Sequence, residues 1–325
     1  MTQDRRTGST KTGIPSAAIL NRIRGTVLNF TNDEMLVARG YGTFRCTLRD
    51  GSERSFGWRV PRSSSRAVVA RGHIARRFLR AGIRYAVAVP RGWVAVADKR
   101  FWFLPDGSAA EAGAAIVGSN PLCPPAVDRS DPDGVTVYYG EYRSNPERSP
   151  THVWASRNYG SSFHPVWRFS SVRHVHGAFV DPFERGVVWV TTGDDDSESA
   201  IWRTDDGFRT LEPVVSGGQQ ARAVQLAFTA SSVYFGSDTP REHNYLYRLD
   251  RDSGHVERQH EVGGSVFWGT TTPDGWRLFS TVVEPSSVNV SRLVELWASP
   301  PTDDRWKRVA VSRKDPLPPK YFEHG

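Results

Sequence analysis

The sequence predicts an all-β fold, a β-propeller of four-stranded antiparallel blades, on three observations. An aromatic-centred segment returns at a near-constant interval, each interval divides into four alternating segments, and turn-forming residues separate them. The recurring segments are His152-Val153-Trp154-Ala155-Ser156, Ala200-Ile201-Trp202-Arg203-Thr204, Tyr245-Leu246-Tyr247-Arg248-Leu249 and Glu295-Leu296-Trp297-Ala298-Ser299, and Trp102 in Arg100-Phe101-Trp102-Phe103 extends the series backwards. Their spacing is roughly 45 to 52 residues, the length of one four-stranded blade. The 29 glycines, 21 prolines and 11% aromatic content suit short strands joined by tight turns, and no long amphipathic helical run is present.

From the N-terminus, residues 1–15 are polar and read as a disordered lead-in, followed by one propeller domain over 16–325. Blades are expected at about 25–62, 83–118, 122–172, 173–215, 221–262 and 264–315, which makes six, with seven the open alternative. Residues 62–82 form an Arg-rich connector. Arg62, Arg66, Arg71, Arg76, Arg77, Arg80 and Arg84 lie between Pro61 and Tyr85 with no acidic residue among them, and Val68, Val69, Ile74, Phe78 and Leu79 fit a short helix. Period-two alternation places the strands of the fourth blade at His174 to Asp181, Val187 to Asp194, Ser199 to Asp205 and Phe208 to Val215. The fifth blade takes Ala221 to Thr229, Ser232 to Asp238, Asn244 to Asp250 and His255 to Val262; the sixth takes Ser265 to Thr272, Trp276 to Val283, Val294 to Ser299 and Trp306 to Ser312. Residues 320–325 read as one more first strand, either closing the N-terminal blade or cut short.

Ser156-Arg157-Asn158-Tyr159-Gly160-Ser161-Ser162-Phe163 resembles the Asp-box (BNR-repeat) motif S-x-D-x-G-x-T-W of sialidase-like propellers, and Thr204 to Leu211 resembles it again with Phe208 where the Gly stands. Ser299 to Trp306 is a decayed third copy. In such a turn the acidic or amide side chain caps amides, the Gly takes positive φ and the aromatic packs between strands. The resemblance implies that the boxes join third and fourth strands on the face away from an active site, which makes Ser156, Asn158, Asp206 and Gly207 structural. It also implies an arginine cluster, an acid/base carboxyl and a Tyr–carboxylate nucleophile if the chain were a sialidase. Trp58-Arg59-Val60-Pro61 is similar to that family's (F/Y)-R-I-P signature but falls in an expected fourth strand, and no Tyr–Glu pair is identifiable.

Function is then expected on the opposite face, where second strands end and first strands begin. Five successive second strands end in an acid: Asp98, Glu141, Asp194, Asp238 and Glu284. First strands open with Arg173-His174-Val175-His176, Arg222-Ala223-Val224-Gln225 and Val266-Phe267-Trp268, and blade alignment makes His176, Gln225 and Trp268 equivalent positions at the channel mouth. Alternation puts His174 and His176 on one strand face, where they serve as acid and base, as metal ligands with Glu141 or Asp194, or as plain hydrogen-bonding groups. The candidate catalytic residues are Glu141, His174, His176 and Glu284. The candidate substrate-binding residues are Arg143, Arg173, Asp194, Arg222, Gln225, Trp268 and Tyr321, with Tyr142, Trp268 and Tyr321 able to stack on sugar rings. No metal or cofactor is assigned; calcium on Asp194-Asp195-Asp196-Ser197-Glu198, or another divalent ion at the histidines, is the alternative.

A formal charge of +7 favours an anionic ligand, with an acidic glycan expected and nucleic acid disfavoured. Cys46 and Cys123 are too few for a disulfide framework, and the start lacks the apolar core of a secretory signal. No apolar stretch approaches the length of a membrane span, so a soluble, cytoplasmic protein is expected. No phosphate-binding Gly-rich loop, G-x-S-x-G or H-E-x-x-H occurs. The first functional reading is a carbohydrate-active propeller that binds, and as a glycoside hydrolase cleaves, an acidic glycan; the alternative is a non-catalytic scaffold for a protein or polyanion. Oligomeric state is not legible.

Overall fold

The computed structural model describes residues 25–30, 33–47, 52–61 and 73–317. Among them, 24 strands form six antiparallel sheets of four, each drawn from one continuous run of chain and arranged as the blades of a propeller. The first blade is β1 (Thr26–Phe30), β2 (Glu34–Arg39), β3 (Gly42–Thr47) and β4 (Glu53–Arg59). A short helix, α1 (His73–Phe78), leads to β5 (Ile83–Val89), β6 (Gly92–Ala97), β7 (Arg100–Pro105) and β8 (Glu111–Ala115). The third blade is β9 (Ala126–Asp128), β10 (Thr136–Gly140), β11 (Thr151–Ser156) and β12 (His164–Phe169); the fourth is β13 (His174–Val180), β14 (Val188–Gly193), β15 (Ala200–Thr204) and β16 (Glu212–Ser216). β17 (Ala223–Phe228), β18 (Ser232–Ser237), β19 (Asn244–Asp250) and β20 (Val256–Val262) precede β21 (Val266–Thr271), β22 (Arg277–Thr281), β23 (Leu293–Ser299) and β24 (Lys307–Arg313).

The aromatic that marks the sequence repeat has a structural counterpart. Register between third and fourth strands slips next to Trp154, Trp202, Tyr247 and Trp297, so the repeated residue sits at a repeated β-bulge. Two of the indoles reach back to a polar group two residues beyond their second-strand partner: Trp154 Nε1 donates to Glu141 Oε2 at 3.2 Å and Trp202 Nε1 to Thr192 Oγ1 at 2.9 Å. In the second blade that place is held by Ala97, which offers no acceptor, and the indole nitrogen of Trp102 is buried without a partner.

Blades close on one another through small residues. A Cβ on Gly140 or on Gly236 would stand 2.5 Å from a side-chain carbon of Val175 or Val266, so these positions let the next blade's first strand lie flat against the sheet. The core is accordingly spread between blades, with Val175, Val190 and Phe208 in one cluster and Trp189, Phe228 and Phe235 in another.

The two turns with the Asp-box pattern are closed by their own side chains. Ser156 Oγ accepts the Gly160 amide at 2.9 Å, Asn158 Oδ1 accepts that of Ser162 at 2.9 Å, Gly160 has φ 85°, and Phe163 packs on Phe101. Thr204 Oγ1 and Asp206 do the same for the amides of Phe208, Arg209 and Thr210, and Phe208 itself adopts φ 67°. The fourth strand of this blade therefore starts at Glu212 and not at Phe208, because residues 208–211 are consumed by the turn.

The Arg-rich connector contributes α1, whose Ile74 and Phe78, with Leu79, are exposed rather than packed inward. Arg77 pairs with Asp315, which ties this segment to the chain beyond the last blade. The expected lead-in, residues 62–72 of the connector and the expected strand at 320–325 with Tyr321 lie outside the described residues. Among the described residues no helix is long and apolar enough to cross a membrane.

Candidate functional site

Every first strand begins, and every second strand ends, at one end of the ring, and a cavity of about 1040 Å³ opens there. Its walls carry seven Lys or Arg against five Asp or Glu side chains, so the enclosed field favours an anion. Bulges in three first strands release a residue toward the cavity: register slips between Ile83 and Tyr85, between Val175 and Gly177, and between Val266 and Trp268, which frees Arg84, His176 and Phe267 from the ladder. All three line the cavity.

Asp194, just past β14, is the hub. Its Oδ2 meets Arg173 Nη1 at 3.1 Å, and its Oδ1 meets Arg222 Nη2 at 3.2 Å, His174 Nε2 at 3.3 Å and His176 Nε2 at 3.7 Å. The two imidazoles are fixed from behind, His176 Nδ1 facing the Ala223 carbonyl at 2.8 Å and His174 Nδ1 the Arg143 carbonyl at 3.3 Å. Burial works against the charge of Asp194, but the facing imidazoles and Arg222 outweigh it and hold the carboxyl far below the usual carboxylate range. Burial lowers the pKa of His174, with the neighbouring His176 acting in the same direction and Asp194 opposing.

Arg222 carries the network across the mouth, because the same Nη2 lies 3.3 Å from Asp238 Oδ2. Glu284 comes next, its pKa raised to about 7 by burial and by the charge of Asp238, with Arg222 and the Ser265 hydroxyl opposing. Tyr142 packs its ring 4.4 Å from that of His174; burial, then the charges of Asp194, Asp238 and Glu284, raise its pKa and keep the phenol protonated. Several buried atoms here have no partner: the Nε of Arg173, the Nε of Arg222 and Oδ1 of Asp238. Trp268 stands at the rim, 44% exposed, edge-on to Tyr85 of the second blade.

Of the residues proposed from sequence, Arg143, Arg173, His174, His176, Asp194, Arg222, Trp268 and Glu284 line this one cavity. Glu141 and Gln225 are not among its lining residues. The acids at the second-strand ends do not share one position. Counting from the pairs Tyr139–Trp154, Val190–Trp202 and Phe235–Tyr247, Asp238 corresponds to Tyr142 and Gly193, so Glu141 falls one residue short and Asp194 one beyond. Glu141 is buried against Arg143 at 2.8 Å, His152 at 2.9 Å and the Trp154 indole. Pairing also places Val224 and Phe267, not Gln225 and Trp268, level with His176.

The Asp195, Asp196 and Glu198 carboxylates, read as an optional calcium loop, are already engaged. Asp195 pairs with Arg148 and Arg241, Asp196 with Arg241 and Gln219, and Glu198 with Arg148 and the Arg173 amide, which leaves no oxygen cage. The one group of ligand type among the described residues is His174, His176 and Asp194, with a donor atom of each within 4.8 Å of the others. Sequence reasoning named Asp238 as a strand-end acid but missed its role between Arg222 and Glu284; their separation of 16 and 46 positions gives no local signal.

No protein-family model matches the chain, and no curated protein matches it. Solved structures do. An oligogalacturonate lyase in complex with manganese aligns with TM-score 0.56 and 10% identity over 86% of this chain and 74% of that one. A GH74 enzyme of Niastella koreensis aligns with TM-score 0.56 and 13% identity over 86% of this chain and 44% of that one. A puromycin-hydrolyzing peptidase of Mycobacterium tuberculosis gives 0.56 and 10% over 91% and 45%. At such identities the likeness is one of fold, and the chain stands as a six-bladed β-propeller with a polar cavity at its mouth.

Proposed function

We propose that this protein binds an acidic carbohydrate in the mouth cavity and turns it over there. The observation that carries the reading is the pair of guanidinium groups, Arg173 and Arg222, each held in place by Asp194 and each keeping a buried, unpartnered Nε at a cavity of net positive lining. A ligand carboxylate supplies the missing acceptor for both, and the half-exposed Trp268 offers a flat apolar face to a sugar ring. Two of the fold neighbours, the oligogalacturonate lyase and the GH74 enzyme, are carbohydrate enzymes, which agrees with this reading; the peptidase neighbour shows that the fold alone does not require it.

Glu284 is the proposed proton donor, since it keeps its proton near neutrality at the edge of the cavity. The charge of Asp238 helps to keep that proton on Glu284. A tyrosine nucleophile is disfavoured because Tyr142 is held as the phenol.

The test is a calorimetric titration with glucuronate, galacturonate, sialic acid and neutral sugars, followed by an assay of the corresponding oligosaccharides. Acidic ligands are expected to bind and neutral ones not. Arg222→Ala should lose at least about tenfold in affinity, as one charge-assisted hydrogen bond implies. Asp206→Asn, in the turn between β15 and β16 and outside the cavity lining, should retain binding. Equal binding of neutral and acidic sugars, or no binding of any, would sink the reading in favour of a non-catalytic platform.

A further inference from the structure

We propose that His174, His176 and Asp194 hold a divalent transition-metal ion, and that the acidic ligand completes its coordination. The site stands on its own geometry; the coupling to ligand rests on the carbohydrate reading above. A backbone carbonyl can only accept, so the contacts of His174 Nδ1 with Arg143 O and of His176 Nδ1 with Ala223 O require the hydrogen on Nδ1 of each ring. That leaves Nε2 of both rings turned toward one carboxylate oxygen, at 3.3 and 3.7 Å.

Nε2 can face an oxygen comfortably only by carrying a second proton, and two imidazolium ions 5.1 Å apart beside Arg173 and Arg222 would place four cations around a single carboxylate. With at least one ring neutral, a lone pair faces an anion, both buried. A cation between them removes the conflict, and the carbonyls behind the rings are the outer partners that orient metal-bound histidines. Two imidazoles and one carboxylate suit manganese, iron, cobalt or zinc; calcium and magnesium prefer oxygen throughout. The fold neighbour in complex with manganese adds no residue to this argument, since the alignment carries 10% identity.

Charge sets the coupling. Arg173 and Arg222 are balanced by Asp194 and Asp238, so a dication leaves the cluster positive until an anion enters. Arg222 can keep Asp238 when Asp194 turns to the metal. Ligand carboxylate and metal should therefore raise each other's affinity by the same factor.

The experiment uses the full chain after EDTA dialysis. Titration with Co²⁺, read by visible absorption, and with Mn²⁺, read by calorimetry, should each saturate at one ion per chain. His176→Ala should weaken binding at least about tenfold, the range lost with far less than a ligand; Glu141→Gln should not change it. Asp194→Asn provides a second variant should His176→Ala unfold, with circular dichroism reporting the fold. Absence of saturable binding, or binding indifferent to both substitutions, overturns the site even where glucuronate still binds. Saturating galacturonate should tighten Mn²⁺ severalfold; metal affinity unmoved by a bound uronate overturns the coupling alone.

Discussion

At the lower end of the fourth blade, Asp181 is buried beneath Arg251, and its two oxygens take the Arg251 guanidinium, the amides of Phe183 and Glu184 and the Trp189 indole. The Asp-box turn beside it is likewise satisfied, each side-chain oxygen meeting an amide. At the upper end of the same strands Asp194 faces four cationic or cation-forming groups, while Arg173 and, from the fifth blade, Arg222 and Asp238 keep buried atoms without partners. Buried polar groups in folded proteins are nearly always paired, so the lower end is complete as it stands, whereas the proposed function gives the unpaired atoms of the upper end their partner.

That contrast can be broken from either end. The largest expected effect is on Asp181→Ala, which strands a buried guanidinium and should lower stability by about 3 to 5 kcal/mol; urea denaturation reads it, and uronate affinity of the folded protein should be unchanged. Arg173→Ala, at the more exposed of the two guanidinium groups, should do the reverse, costing about 1.5 to 3 kcal/mol of uronate affinity with a smaller change in the denaturation midpoint. If the two substitutions trade effects, the division between the ends is wrong.

Glu284 supplies a pH signature. Its folded pKa of about 7 lies above the ordinary 4.5, so the folded state keeps a proton that the unfolded chain releases. The stabilisation is complete below the unfolded value and is lost as pH rises through about 7, with a slope near 1.4 kcal/mol per unit between the two. Denaturation at pH 5 and pH 7.5 should show this loss, and Glu284→Gln should abolish it; an unchanged slope in the variant counts against the raised pKa of Glu284. The smallest effect belongs to Ser156→Ala in the other box, which removes the acceptor for the Gly160 amide and should cost about 1 kcal/mol without touching ligand binding.

The strands of the fourth to sixth blades were legible to within a few residues, since alternation and the aromatic repeat are local signals, and the six-bladed ring followed from their period. The site was legible in part. His174, His176, Arg173, Asp194, Arg222 and Glu284 converge as their positions at strand ends suggested, whereas Glu141 does not, because its carboxylate is taken up by Arg143, His152 and the Trp154 indole. Gln225 was misplaced for a related reason: a bulge adds a residue to one strand, and alternation read along the chain cannot see where.

Composition, period and turn chemistry thus determined that this chain folds as four-stranded blades and which end of each blade carries closed turns, because those properties are settled within some fifty residues. Tertiary structure alone decided which acids enter the cavity, that the charge of Asp238 acts on Glu284, and that two histidines and Asp194 aim at one point. Each depends on register and on the approach of separate blades, and neither distance nor facing across a ring is written in the residues between them.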